Sequence, residues 1–148
     1  METDLLAELI RKKQDILVQL RDLSRRQVAL VGAGETVSLL GLLATKQTLI
    51  EELTQTDRQL DPFRSQDPEK RRWRTPDGRR ICQEAAQSCT SLLAEIMLLE
   101  QHSETDMLRR RDMAASRLQG AHSADQARHA YARPASVSRG QLDLSSEG

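Results

Sequence analysis

Residues 35–60, ETVSLLGLLATKQTLIEELTQTDRQL, decide the fold, because leucines return in them on alternating three- and four-residue steps. The residues on these steps are Leu39, Leu42, Lys46, Leu49, Leu53, Thr56 and Leu60. Such spacing lines one side of a helix with apolar side chains that need a core. It therefore predicts a long amphipathic helix, with Lys46 and Thr56 as polar members of its apolar stripe.

The preceding residues, 4–31, follow the same steps. Their stripe consists of Leu6, Leu9, Lys13, Ile16, Leu20, Leu23, Gln27 and Leu30. Gly32-Ala33-Gly34 follows and matches the glycine chemistry that ends helices. A connection this short favours an antiparallel hairpin of the two helices.

The sequence changes character after Leu60. Asp61-Pro62 and Asp67-Pro68 are typical of turns, so we expect a loop over 61–75 whose aromatic residues, Phe63 and Trp73, cover the open end of the hairpin. Thr75-Pro76-Asp77 then predicts the start of a third helix, over about 76–118. Its stripe consists of Ile81, Cys82, Ala85, Cys89, Leu92, Leu93, Ile96 and Leu99.

Gly120 marks the expected end of the helical domain, 1–120, and a flexible C-terminal tail is expected over 121–148. The chain has 22 leucines against one Trp, one Tyr and one Phe, which favours an all-α fold, an elongated, coiled-coil-like helical bundle. Lys and Arg together number 22, as do Asp and Glu, so no net charge directs the whole molecule toward nucleic acid.

No apolar run is long enough to cross a bilayer, and the acidic start Met1-Glu2 differs from a secretory signal. We therefore expect a cytoplasmic protein without membrane insertion. Cys82 and Cys89 lie about 10 Å apart along a helix, too far for a disulfide, so we expect reduced, buried thiols.

The sequence contains no pattern that indicates catalysis. We expect no catalytic residue, no cofactor and no metal ion. His102, His122 and His129 lack the three- or four-residue spacing of helical zinc ligands and are expected to be exposed. Val28–Gly34 has two glycines of a dinucleotide motif, but Val37 replaces the third, which favours a plain interhelical turn.

Two features suggest binding instead. The cluster 70–80, with Lys70-Arg71-Arg72-Trp73-Arg74, Arg79 and Arg80, could hold phosphates and stack one base, which makes nucleic-acid binding the less favoured alternative. The apolar stripe of the third helix thins after Leu99 and resumes with exposed candidates that predict a partner-binding surface. These residues are Met107, Leu108, Met113 and Leu118.

The pattern resembles the FlgN-type flagellar export chaperones over roughly residues 1–118. The best local match is 35–53, with Leu39, Leu40, Leu43, Lys46, Leu49, Ile50 and Leu53 at the family's leucine and charged positions. Leu92-Leu93-Ala94-Glu95-Ile96 followed by Arg109-Arg110-Arg111 is similar to the family's third helix. Many members carry asparagines after those leucines, where this chain has Glu100, His102 and Ser103.

The resemblance implies a cytoplasmic chaperone that binds hook–filament junction subunits, through their C-terminal helix, before type III secretion. It places client binding at Met107, Leu108, Met113 and Leu118, and adds the export apparatus as a further expected partner. The similar FliT-type chaperones serve the filament cap, so both clients stay open. A self-associating helical adaptor is the alternative from another class.

Overall fold

The computed structural model is all-α, as predicted, and its described residues form three α-helices and one short 3-10 helix. It describes residues 2–147, and the side chains of residues 2–132 among them. The helices are α1 (Glu2–Ala33), α2 (Thr36–Arg64) and α3 (Gly78–Glu147), and the 3-10 helix is Pro68–Lys70. Residues 2–147 contain no strand.

The turn between α1 and α2 is where the glycines predict it. Gly34 has φ 70°, a left-handed conformation that a side chain disfavours. Its N–H donates to the Val31 carbonyl at 3.1 Å, and the Glu35 N–H donates to the Leu30 carbonyl at 3.0 Å. These two bonds form a Schellman motif that caps α1 and allows α2 to fold back against it.

The chain divides into two compact units, the bundle unit Met1–Asp106 and the C-terminal unit Met107–Gly148. Among residues 2–132, all the buried apolar residues belong to the bundle unit, and all of them except Val31 and Leu42 fall in two clusters that each draw on all three helices. The first cluster is Ile16, Leu17, Leu20, Leu49, Cys89, Leu92 and Ile96. The second is Leu6, Leu9, Leu60, Phe63 and Cys82, with Trp73 packed against it, so the two aromatics cover the open end of the hairpin as predicted.

The predicted ends of α2 and α3 are wrong, whereas the other helix bounds lie within two residues of the prediction. α2 continues through Pro62 to Arg64, because a proline in the last turn breaks little of the hydrogen-bond ladder and Phe63 gains a buried position. α3 begins at Gly78 rather than Pro76, with the Ile81 N–H donating to the Asp77 carbonyl at 2.9 Å.

α3 also continues past Gly120, so the predicted stop near Leu118 is wrong. One helical glycine costs about 1 kcal/mol, and the alanines and arginines around it favour helix. The predicted tail 121–148 is therefore helical over 121–132, and its remainder, 133–148, lies outside the residues whose side chains are described.

Candidate functional site

The four predicted client-binding residues lie on α3 in the C-terminal unit, and all are exposed. The exposed fractions of Met107, Leu108, Met113 and Leu118 are 39%, 43%, 48% and 73%. Every described side chain from Met107 to Ala132 is exposed. Apolar side chains that remain in water are available to a partner.

Helix geometry separates these four residues into different directions. At 100° per residue, Met107 and Leu118 point the same way, whereas Met113 points about 120° from Met107. Met113 instead lies among arginines, in a shallow surface groove of about 390 Å³ lined by Arg109, Arg110, Met113, Ala114 and Arg117. Leu108 points about 100° from Met107 on the other side, so the four residues face three different ways, which the sequence pattern alone did not show.

A polar cluster lies inside the bundle unit, around a lysine that is only 6% exposed. The Lys46 Nζ donates to Gln27 Oε1 at 2.6 Å and forms an ion pair with Glu100. The Ser24 hydroxyl donates to Glu100 Oε1 at 2.9 Å. The cluster therefore joins all three helices through the Glu100 carboxylate.

The cluster also sets the protonation of Glu100. Desolvation raises the pKa of this carboxyl, but hydrogen bonds from Lys46, Ser24 and Gln27, together with the Lys46 charge, outweigh it and hold the pKa below its ordinary value. Glu100 therefore stays ionised and can pair with the buried lysine at neutral pH.

Sequence reasoning found half of this cluster. It placed Lys46 and Gln27 on apolar stripes, but it did not assign Ser24 or Glu100 to the interior. The sequence did contain one indication of the missing partners: Lys46 and Gln27 are polar residues on apolar stripes, and buried polar groups need hydrogen-bond partners. Glu100 also occupies the stretch where the chain departs from the asparagines of FlgN-type chaperones.

The basic cluster 70–80 is largely occupied by contacts within the chain. Arg74 pairs with Asp4 at 2.8 Å, and Arg79 pairs with Glu69 at 2.6 Å. Arg80 lies 3.3 Å from Glu84, and the Arg71 Nη2 donates to the Phe63 carbonyl at 2.6 Å. Arg71, Arg74 and Arg79 connect the loop to the helices, whereas Arg80 pairs within α3. The carboxylate partners lower the positive potential that nucleic acid would need.

The cysteines and histidines are placed as predicted. Cys82 and Cys89 are free and buried, and burial raises the pKa of both thiols, which makes them unreactive. His102, His122 and His129 are exposed.

No family model, curated protein or solved structure matches the chain. No described helix is long and apolar enough to cross a membrane.

Proposed function

We propose that the protein is a flagellar export chaperone of the FlgN type, which binds the C-terminal helix of a hook–filament junction subunit in the cytoplasm before secretion. The observation that carries the proposal is the exposure of Met107, Leu108, Met113 and Leu118 on the C-terminal part of α3. Methionine and leucine on an exposed helix suit the capture of an amphipathic helix, because they adapt to different partner surfaces.

The bundle unit supports this role by holding α3. Its core includes Cys89, Leu92 and Ile96 of α3, and Glu100 joins α3 to Lys46 of α2. The anchored part of α3, 78–106, leads along the chain directly into the residues that we propose bind the client.

Titration calorimetry with the C-terminal segment of a junction subunit tests the proposal. The parent should bind, and Met107→Ser combined with Met113→Ser should weaken binding about five- to thirtyfold, because the two methionines lie on different sides of α3 and one client helix contacts one of them. The matched control is Val37→Ser combined with Leu98→Ser, which removes two apolar side chains that are 85% and 67% exposed elsewhere.

The control should bind like the parent, and neither double variant should change the melting temperature by more than a few degrees. Equal affinities of both double variants, or no binding by the parent, would reject the proposed function.

A self-associating adaptor is the second candidate, and exposed residues on α2 favour it. Val37 and Leu40 are 85% and 63% exposed, and Leu43 and Ile50 are each about two-fifths exposed. Light scattering after gel filtration separates the two candidates. A monomer that forms a defined complex with the junction subunit supports the chaperone, whereas a stable oligomer that binds no junction subunit supports the adaptor.

A further inference from the structure

The exposed part of α3 is basic as well as apolar. Residues 107–132 contain five arginines and two aspartates, a net charge of +3, although the whole chain is neutral. A local excess of one sign on an otherwise balanced chain selects partners of the opposite sign.

The arginines are concentrated on one side of the helix. At 100° per residue, Arg109, Arg110, Arg117 and Arg128 fall within about 100° of one another. We call this side, with Met113 and Tyr131, the basic face. The two aspartates of 107–132, Asp112 and Asp125, lie at least about 60° outside it.

Apolar side chains share the basic face with the arginines. Met113 lies one turn after Arg109 and one turn before Arg117, in the groove that these residues line. Tyr131 is 87% exposed at the far end. A membrane-surface helix places its cations opposite its apolar side, so this mixture favours a protein partner that has carboxylates beside an apolar residue.

The middle of the basic face leaves room for a close neighbour. A Cβ added at Gly120 would meet no atom within 4 Å, so no intramolecular packing requires this glycine. Ala121, Ala124 and Ala127 follow on the same side. Small side chains in these positions let a second helix approach between the arginines at either end.

We propose that the basic face binds an acidic amphipathic helix of a separate protein, which seats an apolar residue on Met113 and directs carboxylates one turn away toward Arg109 and Arg117. This inference deepens the proposed function and rests on it, because it specifies the chemistry of the client segment. The arginine fork binds a carboxylate in a defined geometry, so charge would select the client and set its register along the basic face.

Fluorescence anisotropy with two labelled peptides tests this inference on the full chain. Both peptides are amphipathic helices of about 28 residues with leucine on one side; one carries glutamates beside the leucines, and the other carries lysines at the same positions. The acidic peptide should bind at least about tenfold more tightly, and its affinity should fall as salt rises.

Two charge reversals locate the contact. Arg117→Glu, on the basic face, should weaken binding of the acidic peptide about tenfold. Arg111→Glu, which makes the same charge change on the other side of the helix, should change it less than about twofold. Circular dichroism verifies that both variants keep their helix.

Gly120→Leu tests whether a second helix approaches the basic face closely. Leucine favours helix and leaves the charge of the basic face unchanged, but its side chain fills the space beside position 120, so it should weaken binding of the acidic peptide.

Any of three outcomes would overturn the inference: equal binding of the two peptides, equal effects of Arg117→Glu and Arg111→Glu, or tighter binding of a DNA duplex than of the acidic peptide.

Binding of the junction subunit distinguishes a failure of this inference from a failure of the proposed function. If the junction subunit binds and Arg117→Glu has no effect on that binding, the inference fails and the chaperone function stands. If the acidic peptide binds through Arg117 but the junction subunit does not bind, the chaperone function fails and the basic face stands.

Discussion

Lys46 is buried in the bundle unit and pairs with Glu100. We expect Lys46→Met to lower the free energy of unfolding by about 1–3 kcal/mol, because it leaves the Glu100 carboxylate without its cation. The loss is smaller than for a fully buried pair, since 40% of the Glu100 side chain is exposed. Urea denaturation measures it, and Lys12→Met, at an exposed position of α1, should change stability by less than about 0.5 kcal/mol.

Glu100 should give the stability of the protein a dependence on acid pH. Its pKa in the folded chain lies below the ordinary value of 4.5, so the unfolded chain takes up the proton first as the pH falls. The contribution of Glu100 is therefore fully present above about pH 4.5 and is lost as the pH falls through the folded pKa. The difference in unfolding free energy between the parent and Glu100→Gln should shrink below that pH and stay constant above it.

Two serines with almost the same burial should respond oppositely to alanine. Ser24 is 0% exposed and its hydroxyl donates to Glu100, whereas Ser103 is 1% exposed and its Oγ has no partner among the described residues. Ser24→Ala should cost about 1 kcal/mol, and Ser103→Ala should be neutral or stabilising by about 1 kcal/mol, because it removes an unsatisfied polar atom. Chemical denaturation of the two variants side by side measures the contrast, and a loss at both positions would contradict it.

At the scale of the helix, the stripes show how far periodicity predicts burial. The apolar members in the first half of the α1 stripe, Leu6, Leu9 and Ile16, are buried as predicted. Toward its end, Ser24 and Val31 are buried while Leu23 and Leu30 are only partly buried. Seven residues fall about 20° short of two full turns of a straight helix, so a seven-residue repeat moves slowly around the helix. Near the end of α1 the buried side has therefore moved onto the next residue. A repeating step taken from the sequence misses that shift.

The matched pair Leu49 and Ile50 tests the buried side of α2. Leu49 is 8% exposed in the first core cluster, whereas Ile50, the next residue, is 41% exposed. Leu49→Asp should destabilise the protein by several kcal/mol or prevent folding, since it buries an unpaired charge. Ile50→Asp should cost about 1 kcal/mol or less. Thermal melts compare them, and similar midpoints would show that α2 is rotated from its assigned orientation.

At the scale of the whole molecule, the sequence predicted the exposed binding candidates but not the contacts that hold α3. Met107 and Leu118 stand out because the apolar stripe thins around them, which is a local signal. The pairing of Lys46 with Glu100 joins residues 54 positions apart, and no local pattern encodes a contact at that distance. The same limit applies to Arg74 with Asp4, which converts part of a basic cluster into a structural contact.

A chain that ends after Asp106 tests whether the bundle unit folds without the C-terminal unit. The bundle unit contains both core clusters and the Lys46–Glu100 pair, so this chain should unfold cooperatively with a midpoint within about 4 °C of the parent's. It should also lose binding to the acidic helical peptide, because the basic face is removed. A chain that ends after Leu99 is the control: it lacks Glu100, so Lys46 loses its carboxylate partner and the midpoint should fall clearly. If the chain ending after Asp106 melted as low as this control, residues beyond 106 would be required for folding, and the separation of a folded bundle from a partner-binding helix would be wrong.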